Sequence, residues 1–204
     1  MWKNYIKTAL RNIARQRGYV VINIVGLAIG IASSLLIGIY IFSELSYDQH
    51  HENKDQIYRV YLDGKIFNQE IKGAFTPSPL AFALKDKFPE VEDAVRVNKW
   101  DETILRYEDK SFVEEGFMQA DSTFFNVFTV PLLKGNPKTA LTKPHTVVLS
   151  ESSARRIFGE ENAIGKMIKV GNYQTYHEVT AIMKDIPETS HFNCNMIGSF
   201  VTSN

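Results

Sequence analysis

The apolar positions of the chain are concentrated in one uninterrupted run near its start. Residues 20–43 read VVINIVGLAIGIASSLLIGIYIFS and contain no charged side chain. A helix that crosses a bilayer needs about 20 such residues. A cleaved signal peptide has a shorter apolar part, about 7–15 residues, that ends at a small-residue cleavage site, which Phe42-Ser43-Glu44-Leu45 does not provide. A core helix of a soluble protein is rarely apolar on every side. We therefore predict a transmembrane helix over residues 20–43.

A second helical pattern precedes this run. Within residues 2–15, one face carries apolar side chains and another carries Lys3, Lys7 and Arg11. This pattern predicts an interfacial helix in a segment 1–19, with its cations toward anionic membrane lipid. The alternative is a charged flank that only sets the topology of the next helix.

The charges on either side of the run differ in sign. The residues before it are basic, and Glu44, Asp48 and Glu52 follow it. Basic flanks stay in the cytoplasm. The sequence therefore predicts a cytoplasmic N-terminus and an extracytoplasmic domain over residues 44–204.

The pattern after residue 44 alternates between strand and helix periods and predicts a mixed α+β domain with mostly antiparallel pairing. We expect the first helix to continue through Glu44 to Asn53. The predicted strands cover residues 56–62, 65–71, 91–100, 103–107, 111–120, 146–149, 166–170 and 178–183, with a last one within 192–200. The predicted turns are Asp63-Gly64, Glu108-Asp109-Lys110 and Gly171-Asn172. The predicted helices follow Ser78-Pro79 up to Pro89, cover 121–128 with Asp121 or Ser122 as cap, and cover 151–158 between Ser150 and Gly159.

The charge of the chain limits its classes of partner, and its cysteine content limits how the outer domain is stabilised. The net charge of the 204 residues is zero, but the five basic residues before the apolar run leave 18 basic against 23 acidic residues elsewhere. A mildly acidic outer domain argues against nucleic acid as a partner. The single cysteine, Cys194, excludes an intramolecular disulfide, so we expect the apolar core to hold the outer domain.

The sequence contains no recognisable catalytic motif. Nucleophile-elbow, zinc-protease, dithiol and phosphate-loop patterns are all absent. Neighbouring rings point apart on a helix or a strand, so His50-His51 is expected to be a poor metal pair. We interpret the remaining candidates as structural residues. The histidines His145, His177 and His191 are scattered along the sequence. Ser150 is a predicted helix cap, and Cys194 has no neighbour in sequence that would activate its thiol. We therefore predict no catalytic, cofactor or metal residues and no enzymatic activity in this chain.

Several strings of the sequence resemble a known family. They are Lys7 to Ile13 with Ile22 to Gly30, Asp121 to Phe128 continuing to Pro131 to Pro137, Val147 to Ala154 with Phe158-Gly159 and Ile164 to Lys166, and Asp185 to Phe192. In this order they are similar, over nearly the whole chain, to the N-terminal part of MacB/FtsX-type ABC-transporter permeases of Bacteroidetes-type bacteria, including their MacB-like periplasmic core domain. We expect these residues to form the fold rather than to bind ligands.

The resemblance implies a two-lobed periplasmic domain, in which about 53–100 begins the porter lobe, roughly 101–180 carries most of the distal sabre lobe, and the end returns toward the porter lobe. It implies an inner-membrane permease that relays the motion of a separate cytoplasmic ATPase, a process called mechanotransmission, for export, lipoprotein release or envelope regulation. The implied partners are that ATPase, a second permease copy or homologue, and a periplasmic adaptor or lipoprotein. Such permeases have further membrane helices, so we expect this chain to be an N-terminal fragment with an incomplete domain.

Two other functions are compatible with the layout. A single-pass sensor or adaptor with an outer ligand- or protein-binding domain explains the anchor and the α+β domain, but not the family-like strings. An anchored hydrolase lacks any supporting motif.

Overall fold

The computed structural model describes residues 2–66 and 69–203. The chain divides into two compact units, Met1–Tyr47 and Asp48–Asn204. The first unit contains helices α1 (Trp2–Arg15) and α2 (Arg17–Leu45). Its second helix has 29 residues, none of them buried, and among the described residues it alone is long and apolar enough to cross a membrane. The predicted helices over 2–15 and 20–43 are both confirmed as helices, and α2 extends past the predicted span at each end.

The predicted continuation of the helix to Asn53 is wrong. Helix α2 ends at Leu45, and the amide of Ser46 still bonds the Phe42 carbonyl at 3.1 Å. Asp48 then adopts φ +54°, a left-handed conformation that a right-handed helix does not contain. A short 3-10 helix, Lys54–Gln56, follows.

The first strands of the second unit differ from the prediction in register. Strand β1 (Leu62–Ile66) pairs antiparallel with β2 (Gln69–Gly73). The predicted Asp63-Gly64 turn is wrong because both residues lie inside β1, where Asp63 stands opposite Lys72 and their charged groups are 3.7 Å apart. An opposite-charge pair directly across a ladder favours this register over the local turn signal. The predicted strands 56–62 and 65–71 are correspondingly displaced.

Helix α3 (Leu80–Lys87) ends before Pro89 as predicted. The predicted Ser78 cap is wrong, because Pro79 occupies the N-cap position and no side chain caps the helix. Helix α4 (Phe124–Val127) likewise has Thr123 at its N-cap without a side-chain bond. Asp121 does not cap it, because its carboxylate binds Arg96 instead.

The rest of the second unit is built on a seven-stranded mixed sheet in the order β5-β8-β6-β9-β4-β3-β7. Its strands are β3 (Val97–Tyr107), β4 (Lys110–Ala120), β5 (Leu132–Lys134), β6 (Thr146–Ser150), β7 (Met167–Val170), β8 (Thr175–Met183) and β9 (Met196–Ser199). Only the pairs β4–β9 and β6–β8 are parallel, so the predicted mostly antiparallel pairing is confirmed. Strand β7 also pairs with β8, so six strands form a closed ring of pairings.

The α+β class is confirmed, but the expected lobe boundaries are wrong. Residue 100 lies inside β3, and strands between residues 97 and 199 share one sheet. The predicted strands 91–100 and 103–107 are one strand that begins at Val97, and β5 was not predicted. The strand expected within 192–200 is the short β9, which leads into a 3-10 helix, Phe200–Ser203.

The sheet is buried on both faces, and β6 shows why. Val147 and Leu149 belong to one apolar cluster and Val148 to another, because successive strand side chains point to opposite faces. Helix α5 (Glu151–Phe158) packs Ile157 and Phe158 into the first cluster, and α4 contributes Phe124 to the second. Ser150 caps α5 by accepting from the Ser153 amide at 3.2 Å, and Gly159 ends it with φ +65°, as predicted.

Candidate functional site

The second unit begins with a polar cluster at Asp48, the residue that opens it. The Asp48 amide donates to the Thr189 carbonyl at 2.9 Å. Its Oδ1 accepts from the Ser190 hydroxyl at 3.2 Å and from the His191 amide at 3.0 Å, and its Oδ2 lies 2.6 Å from His191 Nδ1. One aspartate therefore ties the chain just after α2 to the loop between β8 and β9.

A second attachment is made by His51. Its Nδ1 accepts from the Thr129 amide at 3.1 Å, and the next amide, that of Glu52, donates to Thr129 Oγ1 at 2.9 Å. His51 is only 4% exposed. Together Asp48, His50, His51, Thr129 and the loop 189–191 form what we call the junction cluster.

Aromatic rings surround the buried histidine. The His51 ring centroid lies 5.3 Å from that of Phe128 and 6.4 Å from that of Phe192. Phe128 and Phe192 also contact each other edge to face at 4.4 Å. These two phenylalanines end the family-like strings 121–128 and 185–192, so the two strings meet at the segment after α2.

The cluster shifts the acid–base behaviour of two of its members. Burial alone would raise the pKa of Asp48, but the hydrogen bonds from His191 and Ser190 and the interaction with His191 hold it below its usual value. Burial, assisted by the neighbouring His50 and opposed by Asp48, lowers the pKa of His51. The favoured forms are therefore an ionised Asp48 and a neutral His51.

The two adjacent histidines do not behave as the sequence predicted. Residues 46–50 form a turn, neither helix nor strand, so the rings of His50 and His51 do not point apart and their centroids are 4.0 Å from each other. Within the described part of the chain, the Nε2 atoms of both rings are buried without a hydrogen-bond partner. Asp48, His50 and His51 each offer a potential ligand atom, and these atoms lie within 4.8 Å of one another.

The other candidate residues fall outside this cluster, apart from His191, which binds Asp48. His145 and His177 come together edge to face at 5.3 Å, and the buried His177 is satisfied at Nδ1 by the Thr175 carbonyl at 3.0 Å. Cys194 is buried, and burial, partly opposed by Lys99, raises the pKa of its thiol to about 12. Such a thiol has little thiolate at neutral pH and is a weak nucleophile.

The junction cluster was missed because its partners are far apart in sequence. Asp48 and His191 are separated by 143 positions, and His51 and Thr129 by 78. The available local signals were the paired histidines directly after the apolar run and the two aromatic strings. None of them indicates which residues meet.

Residues 20–202 match the sequence profile of the family described as MacB-like periplasmic core domain. The chain belongs to this family. The matched range of this MacB-like domain includes α2 from residue 20 onward and both strings that meet at the junction cluster. No curated protein sequence matches the chain at a significant level.

Several solved structures are similar to the chain, and the first of them shares its fold. A domain of a predicted permease protein from Porphyromonas gingivalis is 24% identical, with a TM-score of 0.58 over 65% of this chain and 56% of that one. The periplasmic region of MacB from Actinobacillus actinomycetemcomitans is 22% identical, with a TM-score of 0.45 over 60% and 54% of the two chains. The extracellular domain of YknZ, a noncanonic ABC-type transporter from Gram-positive bacteria, is 18% identical, with a TM-score of 0.42 over 52% and 54%. The chain spans only about half the length of these structures.

Proposed function

We propose that this chain is the N-terminal part of an ABC-transporter permease that relays ATPase-driven motion across a bacterial inner membrane. Family membership supports the transporter context. The basic N-terminal flank and the acidic residues after α2 support a cytoplasmic N-terminus and a periplasmic second unit. ATP hydrolysis belongs to a separate cytoplasmic subunit, and the chain itself has no catalytic role. The other proposed partners are membrane lipid, a second permease copy, and a periplasmic adaptor or lipoprotein.

The observation that carries this proposal is the junction cluster. A relay needs the residues next to the membrane helix to be fixed to the domain that is to move. Asp48 and His51 provide this attachment through side-chain and backbone bonds to two loops of the domain. A helix that served only as an anchor would be served equally well by a loose linker.

An insertion experiment tests the relay. A flexible Gly/Ser stretch placed between Tyr47 and Asp48 of the complete permease should separate ATP hydrolysis from transport while leaving membrane insertion intact. Asp48→Ala should weaken the coupling without a change in length, by about 5-fold or more. The measurement is transported substrate per ATP hydrolysed in proteoliposomes containing the co-purifying ATPase.

The matched control is the same insertion after Asn172, in the turn between β7 and β8, where Tyr173 is 97% exposed. It should leave coupling unchanged. If the insertion at Tyr47 also leaves transport unchanged, α2 is only an anchor and the relay is wrong. Failure of the complete protein to co-purify with any P-loop ATPase would count against the transporter role itself.

A single-pass sensor or adaptor is the second candidate. The observation in its favour is an open polar cleft of about 400 Å³ lined by Lys99, Glu102, Glu115, Gly116 and Asn193. Saturable binding of a small polar molecule, lost in Glu115→Gln, would support it. Absence of such binding, together with ATPase co-purification, would favour the permease.

A further inference from the structure

We propose that Asp48, His50 and His51 form a binding site for a transition-metal ion of the zinc class. Two imidazoles and one carboxylate are a donor set that suits Zn²⁺, with water completing a tetrahedron. The three side chains come from a single turn, and their potential ligand atoms lie within 4.8 Å of one another. The site shares Asp48 and His51 with the proposed relay, but metal binding does not depend on the relay being right.

The buried nitrogen atoms point to a ligand rather than to packing alone. Buried polar atoms are normally hydrogen-bonded, and an exception calls for a physical explanation such as a bound ion. Here two such atoms, the Nε2 atoms of His50 and His51, lack a hydrogen-bond partner among the described residues. Asp48 Oδ1 lies 3.8 Å from His51 Nε2, which is too far for a hydrogen bond and leaves space between the two atoms.

The surroundings of Asp48 also suit a ligand. Its Oδ2 is held by His191 Nδ1 at 2.6 Å, and its Oδ1 accepts from the Ser190 hydroxyl and the His191 amide. These bonds fix the carboxylate with Oδ1 3.8 Å from His51 Nε2. Outer hydrogen bonds of this kind orient metal ligands and sustain affinity. The Asp48 side chain is 33% exposed and His50 is half-buried, so an ion can reach the site from solvent although His51 is buried.

The structure also predicts a consequence of binding. Because the Thr129 amide donates to His51 Nδ1, a neutral His51 carries its proton on Nε2. A metal at Nε2 replaces that proton only when Nδ1 is protonated, and a protonated Nδ1 cannot accept from Thr129. Metal binding and the Thr129–His51 hydrogen bond therefore exclude each other. Occupancy of the site should loosen one of the two attachments of the junction cluster.

The test uses the full chain in detergent, purified through a tag without histidine and freed of metal with a chelator. Titration with Zn²⁺ in a calorimeter, checked by metal analysis after dialysis, should give one ion per chain. His50→Asn and His51→Asn should each weaken binding by at least about tenfold. Mg²⁺ and Ca²⁺ should not compete, because these ions prefer oxygen ligands.

His145→Asn is the matched control, since this histidine lies outside the cluster and its backbone has φ +55°, which Asn tolerates; it should bind like the parent chain. Absence of binding, or binding that persists in both cluster variants as an adventitious ion only, would overturn the site. The variant His50→Asn removes one ligand and leaves the hydrogen bond between Thr129 and His51 in place. It therefore tests the site even where His51→Asn fails to fold.

Hydrogen exchange supplies an independent readout. The Thr129 amide should exchange faster when Zn²⁺ is bound, whereas the amides of β6 should not change. An unaltered Thr129 amide in the fully loaded chain would overturn ligation through Nε2 of His51.

Discussion

Residues 48–96 and residues 97–199 are stabilised by different means. In the described part of the first stretch only His51 is buried, and large side chains such as Tyr58, Phe75 and Phe82 are exposed. The second stretch has a sheet with a continuous apolar cluster on each face.

The first stretch is held to the second by discrete polar contacts and by a few partly buried apolar side chains, Ile57 and Val95 among them. Asp48 binds His191, His51 binds Thr129, and Arg96 binds Asp121. A single hydrogen bond contributes about 1 kcal/mol, and one with a charged partner about 1.5–3 kcal/mol, whereas a buried leucine side chain contributes about 2–5 kcal/mol. We therefore expect the contacts of the first stretch to break before the sheet unfolds.

The largest expected effect comes from the sheet core. Leu149 is fully buried in β6, so Leu149→Ala leaves a cavity and should lower the free energy of unfolding by about 2–5 kcal/mol. The measurement is chemical denaturation followed by near-ultraviolet circular dichroism. Val113→Ala on β4 is the control, because Val113 is 58% exposed, and it should change stability by no more than about 0.5 kcal/mol. Equal effects of the two variants would contradict a continuous core.

The next effect concerns the contact between the two stretches at Arg96. Its guanidinium binds both carboxylate oxygens of Asp121, at 2.7 and 2.9 Å. It also contacts the rings of Phe82 and Phe200, at 4.5 and 4.2 Å from their centroids. The hydrogen bonds to Asp121 raise the pKa of Arg96, so its guanidinium stays protonated. Both side chains are 11% exposed.

Asp121→Asn keeps the shape of the side chain and removes its charge, so it should lower the stability of this contact by about 1.5–3 kcal/mol. We expect limited proteolysis to cleave residues 57–93 faster while exchange in β6 stays slow. Asp109→Asn, in the exposed β3–β4 turn, is the control and should have no effect. Simultaneous loosening of β6 would show that the two stretches unfold as one, which would contradict the comparison.

The same division explains how much could be predicted from the sequence. Helix α2, strand β6 and helix α5 were predicted closely, because a continuous apolar run or a capped amphipathic stretch is a local signal. The start of β3 and the register of β1 with β2 were missed, because pairing with distant strands decides them. The family-like strings predicted the fold of the second unit better than its lobe boundaries.

The candidate site could be predicted hardly at all. The neighbouring rings of His50 and His51 were expected to point apart, and only the left-handed turn at Asp48 brings them together. The sequence predicts Asp121 or Ser122 as the cap of α4, because both residue types are favoured before a helix. Instead Thr123 is the N-cap, and Asp121 binds Arg96, 25 positions earlier. Polar contacts between residues so far apart produce no periodic pattern in the sequence from which they could be predicted.

The smallest expected effect on stability, and the sharpest test of the comparison, uses Cys194 as a probe. Its thiol is 2% exposed and its pKa is raised to about 12 by burial, so a maleimide at pH 8 should label the native chain at least about a hundredfold more slowly than the unfolded chain. The sequence has no other cysteine, so the labelling rate reports only the opening of the apolar cluster around this residue.

Asp48→Ala removes an attachment of the first stretch but no atom of that cluster. It should leave the labelling rate of Cys194 unchanged, whereas Leu149→Ala should raise it, because a less stable sheet opens more often. The full chain in the same detergent serves for both variants, and labelling in denaturant fixes the upper limit of the rate. If Asp48→Ala accelerates labelling as much as Leu149→Ala does, the junction cluster stabilises the sheet itself. Its bonds would then contribute to the stability of the sheet rather than only hold the first stretch to it.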